Sequence, residues 1–308
     1  MGYQMIDSRV RFRHLRTFIE VVRQNSVGRA AQVLAVSQPA VTKTIRELEE
    51  ILDKKLFEKD GRGLRVTRYG EVFLRHAGAS VAALQTGIDS LSRVDAGPPV
   101  RIGALPTVSA RIMPKVMERF LAEGTDSPVK IVTGENHVLL GQLRTGTLDL
   151  VVGRLAAPEQ MAGLTFEYLY SEQVRFVVRS GHPLLARDQF DFERIRDYTI
   201  LMPPAGSVIR PYVDRYLLAH GMAELPHAIE TVSDSFGHVF VAETDAVWVI
   251  SEGVVIREIA AGRLAALPVD TAETQGAVGL TTREGSPSNA SLEILEHTIR
   301  AVIRELAG

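Results

Sequence analysis

Three runs of apolar residues near the start of the chain recur at helical spacing. Leu15, Phe18, Ile19 and Val22 form one stripe, Ala30, Ala31 and Leu34 a second, and Val41, Ile45 and Leu48 a third, each at the three- and four-residue steps of an amphipathic helix. The last two fall within Ser26 to Glu49, SVGRAAQVLAVSQPAVTKTIRELE. Small alanines let two helices approach closely there, and Ala35 and Val36 make the turn between them. Ser37 stands where an N-cap belongs, and Pro39 lies in the first turn, where a missing N–H loses no hydrogen bond. The pattern predicts a compact three-helix core whose second and third helices form a helix-turn-helix.

Alternation follows. Leu56 and Phe57 read as core anchors, Asp60 to Gly63 as a turn, and Leu64 and Val66 as the inward side of a short strand alternating with Arg65 and Thr67, which together make a two-stranded wing. From Tyr69 to Val94 the period changes again, with Phe73, Ala77, Val81, Leu84, Ile88 and Leu91 at alternating steps of four and three. That seam suits pairing with a second copy of the helix, and packing against the chain's own domain is the rival. Asp95, Ala96, Gly97, Pro98 and Pro99 end the helix with breakers.

Beyond the breakers, strands and helices alternate. Val100–Leu105, Val129–Thr133 and Leu148–Gly153 read as buried strands, with helices near Val108–Ala122 and Val138–Thr145, the pattern of parallel βαβ units. A second set has strands at Arg175–Val178, Ile200–Met202, His227–Val232 and Ala246–Ile250, with helices around Val208–His220 and Ser235–Glu243. A last strand, Ala277–Thr282, and a last helix, Ala290–Leu306, return to the first set. The expected fold class is α/β multidomain: a winged helix-turn-helix over residues 1–68, a linker and dimerisation helix over 69–95, and a two-lobed domain over 96–308. Lobe I takes about 99–170 and 270–308, and lobe II about 171–269.

Charge sharpens the first domain. The formal net charge is −2, yet residues 1–70 carry 14 Lys and Arg against 8 Asp and Glu, while the remainder carries 21 against 29. Local positive charge favours phosphate, and an acidic remainder discourages adhesion elsewhere. The outward face of the third helix collects Gln38, Pro39, Thr42, Lys43 and Arg46 behind the cap Ser37. Amide, hydroxyl, ammonium and guanidinium groups are the inventory that reads base edges in a major groove, and a solvated face on an ordinary helical pair is the plain alternative. Arg62, between two glycines at the wing tip, suits a minor groove.

Other classes recede. The chain has no cysteine, so disulfides, thiolate metal sites and thiol catalysis are excluded, as in a cytoplasmic protein. The first residues, MGYQMIDSRVRFRHL, lack the apolar core of a signal peptide, and no run approaches the length of a membrane span. Motifs for nucleophilic, nucleotide or metal-dependent catalysis are missing, no histidine pair has ligand spacing, and His182 in GHPL reads as a turn residue. No enzyme, metal or cofactor is expected. A solute-binding protein would explain two lobes but not the basic helix pair.

These pieces resemble the LysR-type transcriptional regulators along nearly the whole chain. The likeness rests on the AA, SQPAVTKTIRELE, LFEK and TRYG elements at the family's spacing, and on VRIGALPTVSARIMP, LRTGTLDLVVGR, GHPL and the terminal helix. It implies a winged helix-turn-helix, a linker helix and an effector domain like that of periplasmic binding proteins, assembled as tetramers on promoter DNA, with RNA polymerase a possible partner. GALPTVSARIMP, SPVKIVTGEN, SVIRPYVDRYL and ETVSDSF are further similar to the PcaQ-type regulators of protocatechuate-degradation operons. That group implies an activator responding to a carboxylated ring-cleavage intermediate. One departure is AETDAVW at Ala242 to Trp248, where the wider family has a glycine-rich turn.

In such lobes a small ligand lies beyond the carboxyl ends of the strands, against helix N-termini. Thr107, Ser109, Asn136, Ser207 and Ser233 stand at those points, with plain helix capping as the alternative. Charge would come from Arg154, at the position of a pocket arginine in muconate-sensing relatives, and from Arg210 on the opposite lobe. Two guanidiniums would clamp a polyanionic carboxylate, unless each pairs instead with Asp149 or Glu230.

Overall fold

The structure is a computed structural model that describes residues 8–60, 63–91, 99–186, 190–222, 224–286 and 289–307. Arg62 and the breakers at 95–98 lie outside the described residues.

Helices α1 (Phe12–Gln24), α2 (Val27–Leu34) and α3 (Gln38–Leu52) enclose the first core. Ser26 caps α2 by accepting from the Arg29 N–H, and Ser37 caps α3 by accepting from Ala40. The turn between them is tight because Ala35 adopts the left-handed conformation, φ 56°, an uncommon choice for a residue with a Cβ. Ala30, Ala31, Val41, Ile45 and Leu48 are buried with Phe18 and Leu56. Strands β1 (Phe57–Asp60) and β2 (Gly63–Val66) pair antiparallel as the wing. A contact that the apolar pattern does not show fixes them: buried Glu49 accepts from the N–H groups of Leu56 and Phe57 at 2.8 and 3.2 Å and meets Lys55 Nζ at 2.7 Å.

Helix α4 (Arg68–Leu91) divides the expected seam in two. Phe73 and Ala77 belong to the first core, with Phe73 against Phe18 at 5.3 Å, whereas Leu84 and Ile88 are exposed. Between these positions the helix lies against the effector domain through glycines. A Cβ on Gly78 would stand 2.7 Å from Thr145 Cα, and one on Gly146 would stand 2.4 Å from Ala82 Cβ.

Two five-stranded sheets follow. In chain order the next elements are β3 (Val100–Ala104), α5 (Pro106–Arg111), α6 (Met113–Ala122), β4 (Val129–Thr133), α7 (Asn136–Arg144), β5 (Leu150–Arg154) and β6 (Leu164–Glu172). Then come β7 (Val174–Arg179), β8 (Ile200–Met202), α8 (Arg210–Ala219), β9 (Ala228–Glu230), α9 (Asp234–Glu243), β10 (Val247–Ser251) and α10 (Glu252–Ala260). Strands β11 (Leu264–Ala266) and β12 (Gly276–Arg283) and helix α11 (Ala290–Ala307) complete the chain. Lobe I has the order β4-β3-β5-β12-β6 and lobe II the order β11-β7-β10-β8-β9. The chain crosses between lobes at Gln173 and again over residues 267–275, which include a short 3-10 turn at Ala272–Thr274, and these two connections form the hinge. Parallel pairing holds at β4-β3-β5 and β10-β8-β9, while β12 and β7 run antiparallel to their neighbours.

Some local expectations change. The single helix expected over Val108–Ala122 is broken at Ile112, where Pro114 has no N–H to continue the ladder. Strand β6, helix α10 and strand β11 are additional elements. At AETDAVW the chain stops α9 without glycine: Thr244 turns to extended backbone, its hydroxyl donates to the Phe240 carbonyl at 2.6 Å and accepts from the Ala246 N–H at 3.3 Å.

Candidate functional site

The reading face is set by what α3 buries. With Val41, Ile45 and Leu48 turned inward, Gln38, Pro39, Lys43 and Arg46 are exposed and Thr42 is half-exposed. These residues border a shallow groove with Glu47 and Glu50. Thr42 donates its hydroxyl to the Gln38 carbonyl at 3.1 Å. Lys43 stands 4.0 Å from Glu47, and Arg13 holds that same carboxylate at 3.0 Å. Arg46 makes no ion pair among the described residues. Ser37 serves the helix through its cap.

Between the lobes lies a cleft of about 490 Å³. Thr107, Ser109, Asn136, Arg154, Ser207 and Ser233 all line it. Two of the six also hold the backbone: Ser233 Oγ accepts from the Phe236 N–H at 3.2 Å and Ser207 Oγ from Ile209 at 3.5 Å, whereas Asn136 opens α7 without a side-chain cap bond. Capping and lining are therefore compatible roles.

Arg210 is not brought to the cleft, and the expected clamp from opposite lobes is corrected on that point. Its Nε donates to Asp214 at 2.7 Å, and its Nη1 to Glu230 at 2.6 Å and to the Pro203 carbonyl at 2.8 Å. Those carboxylates raise its pKa and hold the guanidinium on the outer side of α8, where i,i+4 spacing puts Asp214 within reach.

Arg154 is the opposite case, only 4% exposed. Its Nη2 donates to the carbonyls of Glu172 and Thr274, and its Cζ lies 4.9 Å from the centre of the Tyr212 ring. Nε and Nη1 have no hydrogen-bond partner, and burial draws the guanidinium pKa down, against the pull of Glu172. Because Nη2 is already engaged and belongs to both edges at which a guanidinium can fork a carboxylate, the bidentate clamp expected is reduced to a single bond from Nη1 or Nε. Asn136, 6% exposed, likewise has an unpaired Nδ2. Buried donors without acceptors are costly, and here both belong to residues of one cleft.

Against Arg154 lies a buried polar cluster. Glu172 accepts from the Gly253 N–H at 2.9 Å, which ties the end of β6 to α10, and Arg111 Nη1 stands 3.9 Å away. Burial pushes the Glu172 carboxyl up, and it also pushes up the Tyr170 phenol, whose oxygen has no partner. Asp234 and Trp248 are among the lining residues that escaped the sequence reading. Asp234 follows the cap Ser233, and burial raises its carboxyl pKa against the opposing effect of His238. Trp248, the only tryptophan, lies on β10 against Gly237. Its place in a buried strand was the available signal. His182 is wholly buried, accepting from the Leu184 N–H at 3.1 Å, a turn residue as expected.

A winged helix-turn-helix joined by a linker helix to a two-lobed cleft defines a DNA-binding transcriptional regulator with an effector-binding domain. Family models match both parts: the bacterial regulatory helix-turn-helix protein, lysR family, over residues 12–71, and the LysR substrate binding domain over residues 95–304. The chain belongs to the LysR family. It is 60% identical over 304 residues to the HTH-type transcriptional regulator PcaQ of Agrobacterium fabrum, covering 98% of each chain. It is 34% identical to the uncharacterized HTH-type transcriptional regulator YdcI of Escherichia coli, over 96% of this chain and 97% of that one. A full-length OxyR variant from Pseudomonas aeruginosa has the same fold, with a TM-score of 0.61 and 24% identity over 96% of this chain and 97% of the other. No described helix is long and apolar enough to cross a membrane.

Proposed function

We propose that this regulator activates genes of protocatechuate catabolism in response to a small carboxylate seated between its lobes. The observation that carries the effector class is Arg154, a buried guanidinium whose Nη1 and Nε find no acceptor in a cleft also lined by the unsatisfied Asn136. The pathway rests on full-length identity to PcaQ. In this reading Arg154 and Asn136 take a carboxylate, and Thr107, Ser109, Ser207 and Ser233 serve the remaining oxygens. The N-termini of α7 and α9 add favourable potential for an anion. Gln38 and Thr42 read base edges, Lys43 and Arg46 meet phosphates or guanine, and Ser37 and Pro39 fix the helix start. Arg62 is assigned to the minor groove by its place in the sequence alone.

The protein works in the cytoplasm, without catalytic or metal cofactors, on double-stranded promoter DNA. Residues 1–68, 69–95 and 96–308 are its reading, linking and sensing parts. Leu84 and Ile88, exposed in a single chain at 49% and 52%, are the positions through which linker helices pair. Two such dimers make a tetramer that presents its helices to paired half-sites and, as an activator, meets RNA polymerase. Footprinting on the promoter beside its own gene, with and without 3-carboxy-cis,cis-muconate, tests the reading. A protected palindromic site whose extent changes with the compound is expected. A footprint indifferent to this and other ring-cleavage carboxylates would overturn the effector class.

A further inference from the structure

We propose that Gly276 and Tyr212 are positioning residues for Arg154, forming a slot that keeps its guanidinium directed at the ligand and connects both lobes to it. The inference rests on the reading of the cleft as a carboxylate site.

A long arginine side chain has many rotamers, and holding one of them without a carboxylate partner needs steric walls. One wall is backbone. A Cβ on Gly276 would stand 2.8 Å from Arg154 Nε and 2.9 Å from Cζ, so the guanidinium would have to move. Gly276 opens β12 and pairs with Glu172, whose carbonyl is one of the two that hold Nη2. The other carbonyl, Thr274, precedes it by two residues at 3.2 Å. Both chain crossings of the hinge thus grip the same nitrogen. The second wall is the Tyr212 ring, 4.9 Å from Cζ, within the range at which a cation is attracted to an aromatic face. Tyr212 belongs to α8 of lobe II, whereas Arg154 ends β5 of lobe I. This buried cation in the cleft wall therefore touches the hinge and the opposite lobe while Nη1 and Nε have no acceptor. A carboxylate taking one of those donors binds a group already braced against lobe II.

The test is titration of the full-length protein with 3-carboxy-cis,cis-muconate, followed by the fluorescence of Trp248, which lines the cleft. Gly276→Ala is expected to weaken binding at least tenfold and Tyr212→Leu about fivefold, while Tyr212→Phe, which keeps the ring face, binds as the parent does. In an Arg154→Ala background, Gly276→Ala and Tyr212→Leu should add nothing, because a residue that acts only through Arg154 has no effect once it is gone. If Gly276→Ala fails to fold, Tyr212→Leu against Tyr212→Phe decides alone. Parent-like binding by Tyr212→Leu, or losses that persist in the Arg154→Ala background, would overturn the slot while leaving the effector reading intact. A parent that binds no ring-cleavage carboxylate would overturn both.

Discussion

Replacing Glu49 by alanine should loosen the reading head while leaving the sensor unchanged. Glu49 is 7% exposed and ties the end of α3 to the first residues of the wing. Without its carboxylate, the buried Leu56 N–H and the half-buried Phe57 N–H lose their acceptor, at about 1–3 kcal/mol for each unanswered group. The pair with Lys55, whose side chain is largely exposed, adds little. A total of about 3 kcal/mol follows. At about 4–8 °C per kcal/mol for a unit of 60–100 residues, melting of the head should fall by roughly 12 °C or more. Far-UV circular dichroism of the full chain would follow it through α1 to α4, and Trp248 fluorescence would follow lobe II separately. Glu49→Gln, which keeps one acceptor, should lose about 1 kcal/mol. Glu50→Ala is the control, an exposed neighbour expected to shift stability by less than about 0.5 kcal/mol. If Glu49→Ala melted like Glu50→Ala, the claim that this carboxylate holds the wing would be refuted.

The other expectations concern the two faces of function. Gln38→Ala should reduce discrimination between operator and random DNA, whereas Lys43→Ala should weaken both and lower the salt slope by about 1 in gel-shift titrations. Equal losses on both DNAs for Gln38→Ala would count against base reading. Arg210→Ala should leave the affinity for carboxymuconate within about twofold, since its partners Asp214 and Glu230 hold it outside the cleft; a tenfold loss in calorimetry would return it to the site. Asp234, with its carboxyl pKa raised chiefly by burial, contributes most favourably when protonated, and that contribution is lost as pH rises through its folded-state pKa. Asp234→Asn should therefore melt higher than the parent near neutral pH, with the difference shrinking below the ordinary aspartate range. A difference that grew in acid would refute this sign.

Periodicity made the reading head legible: Ala30, Ala31, Val41, Ile45 and Leu48 are buried where the stripes placed them, because a short helix must bury its apolar side. The cleft was legible through helix starts, since the residues that stand there at the strand ends are also residues that line it. What escaped depends on long-range geometry. Glu49 reads as one more charge on a polar helix, and only folding brings the Leu56 N–H to it. Arg210 and Arg154 look alike in sequence, yet one finds Asp214 on its own helix and the other is enclosed between segments more than a hundred residues apart. Strand β6, LTFEYLYSE, largely exposed or half-buried at the edge of a sheet, lacks the continuous apolar run that marked β3 and β5.

The glycine contact between α4 and lobe I bears on how this regulator can be cut and rejoined. A hybrid joined within residues 92–98 would take α4 from one parent and Thr145 and Gly146 from another. Any side chain in place of Gly78 would then meet backbone at 2.7 Å. Joining ahead of α4 instead separates Phe73 and Ala77 from the head they help to fill. Ala77 serves the reading head and its immediate neighbour Gly78 serves the sensor, so no peptide bond in the helix is a neutral seam. Interchangeable parts in this chain begin only where both partners of that wall travel together.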